Sequence, residues 1–135
     1  PARLIGIGDG KGPIDKNRRN VDVSALDLSG NMTKTHWVNF MTAGVHKVCK
    51  LYAQDKKILH QNLLYQIETV QLLRYKPGGF YIPHVDQGPY ANRALSYIYF
   101  VNDEFEGGGL NFFLGNDKEE PYHINPKKNS AVVCA

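Results

Sequence analysis

Residues 74 to 86 read Arg74-Tyr75-Lys76-Pro77-Gly78-Gly79-Phe80-Tyr81-Ile82-Pro83-His84-Val85-Asp86. Lys-Pro-Gly-Gly is turn chemistry, because proline fixes φ and Gly78 and Gly79 permit a backbone turn with positive φ. The run from Phe80 to Val85 then has the apolar, β-prone character of a strand. On a strand, side chains two apart project from one face, so His84 and Asp86 would present one nitrogen and one oxygen to a single ion. Taken alone, such a pair is more often a strand end satisfied by hydrogen bonds than a metal site. Joined by a second histidine from elsewhere, an imidazole and a carboxylate form the facial triad that holds Fe(II) and leaves positions open.

Around this stretch the grammar is β. Tyr65 to Tyr75, Phe80 to Val85, Ala94 to Asn102, Leu110 to Leu114, Tyr122 to Ile124 and Ser130 to Cys134 are separated by glycine, proline and Asn/Asp clusters. On the Ala94 to Asn102 strand, alternation puts Ser96, Ile98 and Phe100 on one face and Tyr97 and Tyr99 on the other; both faces are apolar enough that alternation leaves open which of them lines the site. Upstream, Trp37, Phe40, Met41, Val45, Val48, Leu51 and Tyr52 fall at three- and four-residue steps, which predicts a helix over 35–57. Residues 6 to 34 are rich in glycine and polar residues and read as mobile loops, with a short strand around Val21 to Leu26 and a candidate lid role. The fold class expected is mainly β with N-terminal helical support, an antiparallel sandwich or jelly roll, with 1–135 as one domain and 65–135 as its β core.

Composition narrows the function without naming it. The 42% apolar and 21% charged residues are ordinary for a globular chain. A net charge of +3, from 16 basic and 13 acidic residues, is spread along the chain rather than clustered, so no nucleic-acid footprint is expected. No apolar run reaches membrane-spanning length, and no signal-peptide core is present in these residues. Cys49 and Cys134 are far apart and fit no disulfide scaffold or Cys-x-x-Cys motif, so both read as reduced core residues and lean towards a reducing, cytoplasmic compartment. His36, His46 and His60 read as surface histidines. Gly107, Gly108 and Gly109 read as a tight turn, since the lysine and helix of a phosphate cradle do not follow them.

The stretch from Arg74 to Asp86 resembles the prolyl 4-hydroxylase pattern, in which a tyrosine, a turn glycine and a second tyrosine lead into His-x-Asp. Asn92-Arg93-Ala94-Leu95-Ser96-Tyr97-Ile98-Tyr99-Phe100-Val101-Asn102 is similar to that family's next strand, which begins at an arginine and ends in an aromatic, an aliphatic and asparagine. Glu106-Gly107-Gly108-Gly109-Leu110-Asn111-Phe112 resembles its glycine-rich turn and following strand, and Ile124-Asn125-Pro126 to Val133 the turn and strand before its last ligand. The resemblance is to the Fe(II)/2-oxoglutarate-dependent dioxygenase superfamily, prolyl 4-hydroxylase-like, and covers about residues 68 to 135.

That resemblance implies a double-stranded β-helix, cupin-like in architecture, and hydroxylation of a C–H bond with release of succinate and CO2. The implied cofactors are Fe(II), 2-oxoglutarate as cosubstrate and ascorbate as reductant. His84 and Asp86 would be the metal ligands, Tyr75 a contact to 2-oxoglutarate, and Tyr81 and Arg93 contacts to substrate at the entrance. A prolyl residue in a peptide or protein is the substrate implied. Phe105-Glu106-Gly107-Gly108-Gly109 also resembles lysyl hydroxylases, and small-molecule substrates stay open.

One departure is plain. The family places its distal histidine, and then a basic residue for 2-oxoglutarate, after the strand that here ends at Cys134-Ala135. Both are expected beyond Ala135, in C-terminal strands that this chain lacks. His123 precedes the proline turn, where the family has no ligand, and Lys127 and Lys128 read as exposed turn lysines. Two rivals keep their place: a metal-free jelly-roll binding module, and another cupin-like metalloenzyme that forms no succinate.

Overall fold

In the computed structural model, the described residues are 16–26, 30–57, 67–68, 70–86, 93, 95–113 and 120–134. The elements run in the order β1 (Arg19–Asn20), β2 (Asp22–Ala25), α1 (Met32–Asp55), β3 (Gln71–Arg74), β4 (Phe80–Tyr81), β5 (Ser96–Tyr99), β6 (Leu110–Phe112), β7 (Tyr122–Ile124) and β8 (Ala131–Cys134). The chain divides into two compact units, Pro1–Gly79 and Phe80–Ala135.

In the first unit, α1 begins three residues before the expected Thr35. Asn31, in extended conformation, accepts the Lys34 amide at 3.1 Å and so caps the first turn. The helix therefore starts inside the stretch expected to be loop. It ends at Asp55 rather than Lys57, because Lys57 turns to φ 53 and its amide bonds the Gln54 carbonyl. The apolar stripe is also less buried than its periodicity suggests. Trp37, Phe40 and Leu51 are exposed, whereas Cys49 and Ala53, one turn apart, are buried. Trp37 and Phe40 meet edge to face at 5.8 Å.

Strand β2 lies where a short strand was expected, within Val21 to Leu26, and pairs antiparallel with β3 from Asp22 opposite Arg74 to Ala25 opposite Gln71. The Arg74 guanidinium donates to the Asp22 carboxylate at 2.8 Å and Lys76 lies 3.1 Å from it, which holds the Asp22 carboxyl below its ordinary pKa. Beyond β3 the chain turns at Lys76-Pro77-Gly78-Gly79: the Gly79 amide bonds the Lys76 carbonyl at 2.7 Å, and Gly78 sits at φ 75. This is the geometry that proline at the second and glycine at the third turn position favour. Gly79 is required for another reason, since a Cβ there would lie 2.8 Å from the Lys76 oxygen and 3.0 Å from that of Asn20.

In the second unit, β5 pairs antiparallel with β8, Ser96 opposite Cys134 and Tyr99 opposite Ala131. Beyond β5, the Phe100 amide bonds Ser130, the Asn129 amide bonds Phe100, and the Tyr99 hydroxyl donates to the Asn129 side chain at 2.9 Å. Asn129 takes φ 62, a left-handed conformation asparagine tolerates, to make the turn into β8. Strands β6 and β7 pair from Leu110 opposite Ile124 to Phe112 opposite Tyr122. Gly107 and Gly108, both at positive φ, turn the chain into β6.

These ladders are the small antiparallel strands, with one helix, of a β-rich fold. Among the described residues each pair stands as a two-stranded ladder, and the full jelly roll expected from the sequence is not seen. No described helix is long and apolar enough to cross a membrane. Residues 6–15 and 27–29 of the expected loop region, and His60, lie outside the described residues.

Candidate metal centre

The strand that was to carry the His-x-Asp pair stops at Tyr81. Pro83 has no N–H to extend a ladder, so His84 and Asp86 lie on an irregular bend rather than on a strand. They do not face one way by strand alternation. What brings them together is a set of specific contacts.

His84 Nδ1 lies 2.9 Å from the main-chain oxygen of Ile82. A carbonyl only accepts, so Nδ1 carries the proton and, in the neutral ring, Nε2 keeps its lone pair. That nitrogen lies 3.4 Å from Asp86 Oδ1. The ring plane is fixed from one side by Tyr81, stacked on it with centroids 3.7 Å apart and planes 18° off parallel.

Asp86 is held at two points. The Ser96 hydroxyl donates to its Oδ2, and Arg93 Nη1 donates to its main-chain carbonyl at 3.3 Å. Oδ1 is thereby left to face His84. Cys134 closes the far side of β5, its Sγ 3.9 Å from the Ser96 carbonyl oxygen. Burial first, and then the negative charge of Asp86, push the Cys134 thiol pKa up.

A nitrogen lone pair and a carboxylate oxygen facing each other at 3.4 Å repel unless a positive charge lies between or on them. That charge is either a proton on Nε2 or a metal ion. The residues fit a metal well. A ligating histidine donates its other N–H to a carbonyl or carboxylate in almost all metal sites, as His84 does to Ile82. Two ligand atoms each about 2.1 Å from one ion and roughly at right angles lie about 3 Å apart. The side chains are 30% and 43% exposed, so an ion can reach them from solvent. Among the described residues no group of three His, Cys, Asp or Glu side chains gathers round one point, so the pair is two ligands and not a complete set.

Residues 70–135 match the family model described as the 2OG-Fe(II) oxygenase superfamily, a span that contains both ligand candidates and every residue holding them. The family carries Fe(II)- and 2-oxoglutarate-dependent oxidation, the work of a dioxygenase. No curated protein and no solved structure matches the chain.

Within the matched segment, the unit starting at Phe80 brings together Tyr81, His84, Asp86 and Arg93. Tyr75 belongs to the other unit, just past β3, and is 47% exposed rather than a core tyrosine. In the sequence Ser96 is one of several strand residues, and its hydroxyl carries no signal until the bend delivers Asp86 to it.

His123 occupies a different setting on β7. Its Nδ1 lies 2.6 Å from the Asn111 side-chain oxygen and its Nε2 3.0 Å from that of Asn125. A neutral imidazole satisfies both when one amide presents its nitrogen to the ring. The ring packs over Gly109, where a Cβ would collide with His123 Cε1. Lys127 and Lys128 are exposed turn residues, and Lys128 reaches Glu104 at 3.4 Å.

Proposed function

We propose that His84 and Asp86 supply two of the three protein ligands to Fe(II) in an enzyme that hydroxylates a prolyl residue of a peptide or protein, converting 2-oxoglutarate and oxygen to succinate and CO2. The observation that carries the reading is His84 Nε2 facing Asp86 Oδ1 at 3.4 Å, with Nδ1 placed 2.9 Å from the Ile82 carbonyl that takes its proton. Bound iron would supply the activation of oxygen that no side chain provides. The protein's part is to hold the ligands. Tyr81 fixes the imidazole plane, Ile82 fixes its tautomer, Ser96 and Arg93 fix Asp86, and the carboxylate offsets part of the dication's charge.

The third ligand is proposed to follow β8. That strand ends with Cys134 opposite Ser96, the residue that bonds Asp86, so the chain passes the pair at that point. A histidine there, with a basic residue beyond it for 2-oxoglutarate, is what the prolyl 4-hydroxylase resemblance implies. Tyr75 as a hydroxyl donor to 2-oxoglutarate, Tyr81 and Arg93 as substrate contacts, and ascorbate as reductant rest on the same resemblance.

Incubating the intact protein with Fe(II), 2-oxoglutarate, oxygen and a panel of proline-containing peptides tests the reading by mass spectrometry. Peptide-stimulated succinate and a peptide one oxygen heavier at proline are expected. Modification at lysine, or of a small molecule only, would replace the prolyl substrate and keep the chemistry. A metal-free binding module is favoured by one feature, that an imidazolium would satisfy the His84–Asp86 contact as an ion pair. Neither metal binding nor succinate would establish that module instead.

A further inference from the structure

We propose that Ser96 is a positioning residue of the metal centre, selecting which oxygen of Asp86 faces the ion; this rests on His84 and Asp86 being ligands. A carboxylate has two equivalent oxygens and can bind a metal through one or both. Here the Ser96 hydroxyl donates its single proton to Oδ2, so Oδ2 is occupied and Oδ1 is turned to His84 Nε2. The position of Ser96 is set by β5 and not by the loop that carries Asp86. Its partner in the ladder is Cys134, and the strand is anchored at its other end by the Tyr99 to Asn129 hydrogen bond. Ser96 therefore offers a fixed reference point to a carboxylate that lies on an irregular bend.

Partners of this kind, one step removed from the metal, alter metal affinity by about 10- to 100-fold when removed. Ser96→Ala removes the hydroxyl. Ser96→Thr and Ser96→Val form a matched pair, equal in shape and both suited to a strand, differing in the hydroxyl alone.

The experiment titrates the intact protein and each variant with Mn(II), following free Mn(II) by electron paramagnetic resonance, with thermal melts alongside. Ser96→Ala and Ser96→Val are expected to bind Mn(II) about 10-fold or more weakly, while Ser96→Thr retains affinity within a few-fold and all keep cooperative melts. If Ser96→Ala fails to fold, the threonine and valine pair decides. Equal affinity in all variants, or equal loss in threonine and valine, would overturn the assignment. Asp86→Ala separates the layers: loss of Mn(II) there with no effect at Ser96 sinks only this inference, whereas unchanged binding in Asp86→Ala sinks the ligand reading beneath it.

Discussion

His84 and His123 both belong to the Phe80–Ala135 unit and both are exposed, yet their ring nitrogens are committed in opposite ways. Both nitrogens of His123 have asparagine side chains as partners, one on the paired strand and one two residues on. His84 has one nitrogen bonded to a carbonyl and the other aimed at a carboxylate oxygen that cannot donate to it. The first arrangement is satisfied by a neutral imidazole, because an asparagine amide can present either its oxygen or its nitrogen to the ring. The second is complete only with an added positive charge, which is what a metal ligand requires.

The comparison can be broken most forcefully at Asp86. Asp86→Asn keeps the shape and one oxygen but removes the charge, and Mn(II) affinity should fall by more than about 100-fold, the upper range for loss of a partner one step removed. An unchanged affinity would mean that the His84–Asp86 contact is an ion pair of structural use only.

Tyr81 sharpens the comparison, because His123 has no aromatic partner among its described contacts. Tyr81→Leu removes the stacked ring, an interaction of about 0.5–1.5 kcal/mol, and should weaken metal binding by a few-fold to about 10-fold. Tyr81→Phe keeps the ring. If the phenylalanine variant loses peptide turnover but not Mn(II) affinity, the hydroxyl serves substrate and the ring serves His84.

On the His123 side the expected effects are on stability. Gly109→Ala places a methyl group against the imidazole and should cost about 1–3 kcal/mol by overpacking. In a His123→Ala background the same change should cost distinctly less, as read from denaturant melts. Equal costs in both backgrounds would show that the ring moves aside freely.

The smallest effect lies in the other unit, where Asp22 bridges Arg74 and Lys76. Its folded pKa is depressed, chiefly by the Arg74 hydrogen bond, so its contribution to stability is present above the ordinary carboxylate range and is lost as pH falls through the folded value. Asp22→Asn should lower the melting temperature slightly at neutral pH, with the difference from wild type vanishing in acid. A difference that persists in acid would point to packing rather than charge.

Much of this was legible in the sequence where the cause is local. The Lys-Pro-Gly-Gly turn, β7 at Tyr122–Ile124, the glycine turn before β6 and the β-prone run ending at Cys134 follow from residue types in a short window. The His-x-Asp pair and its neighbours were legible as a pattern as well. What was not legible depends on contacts distant in sequence. Strand β4 ends at Tyr81 because Pro83 follows, so the pair is aligned by Ile82, Tyr81 and Ser96 and not by alternation. The helix start turned on a single asparagine cap outside the apolar stripe, and the stripe itself did not mark Cys49 and Ala53 as the buried seam.

The central claim is that His84, and not His123, serves the iron. The direct measurement is succinate formation from 2-oxoglutarate by the intact protein, His84→Ala and His123→Ala, compared at saturating Fe(II) with melts to confirm folding. The account predicts that His84→Ala falls to the no-enzyme background and His123→Ala retains most of the wild-type rate. Turnover preserved in His84→Ala and abolished in a folded His123→Ala would contradict it.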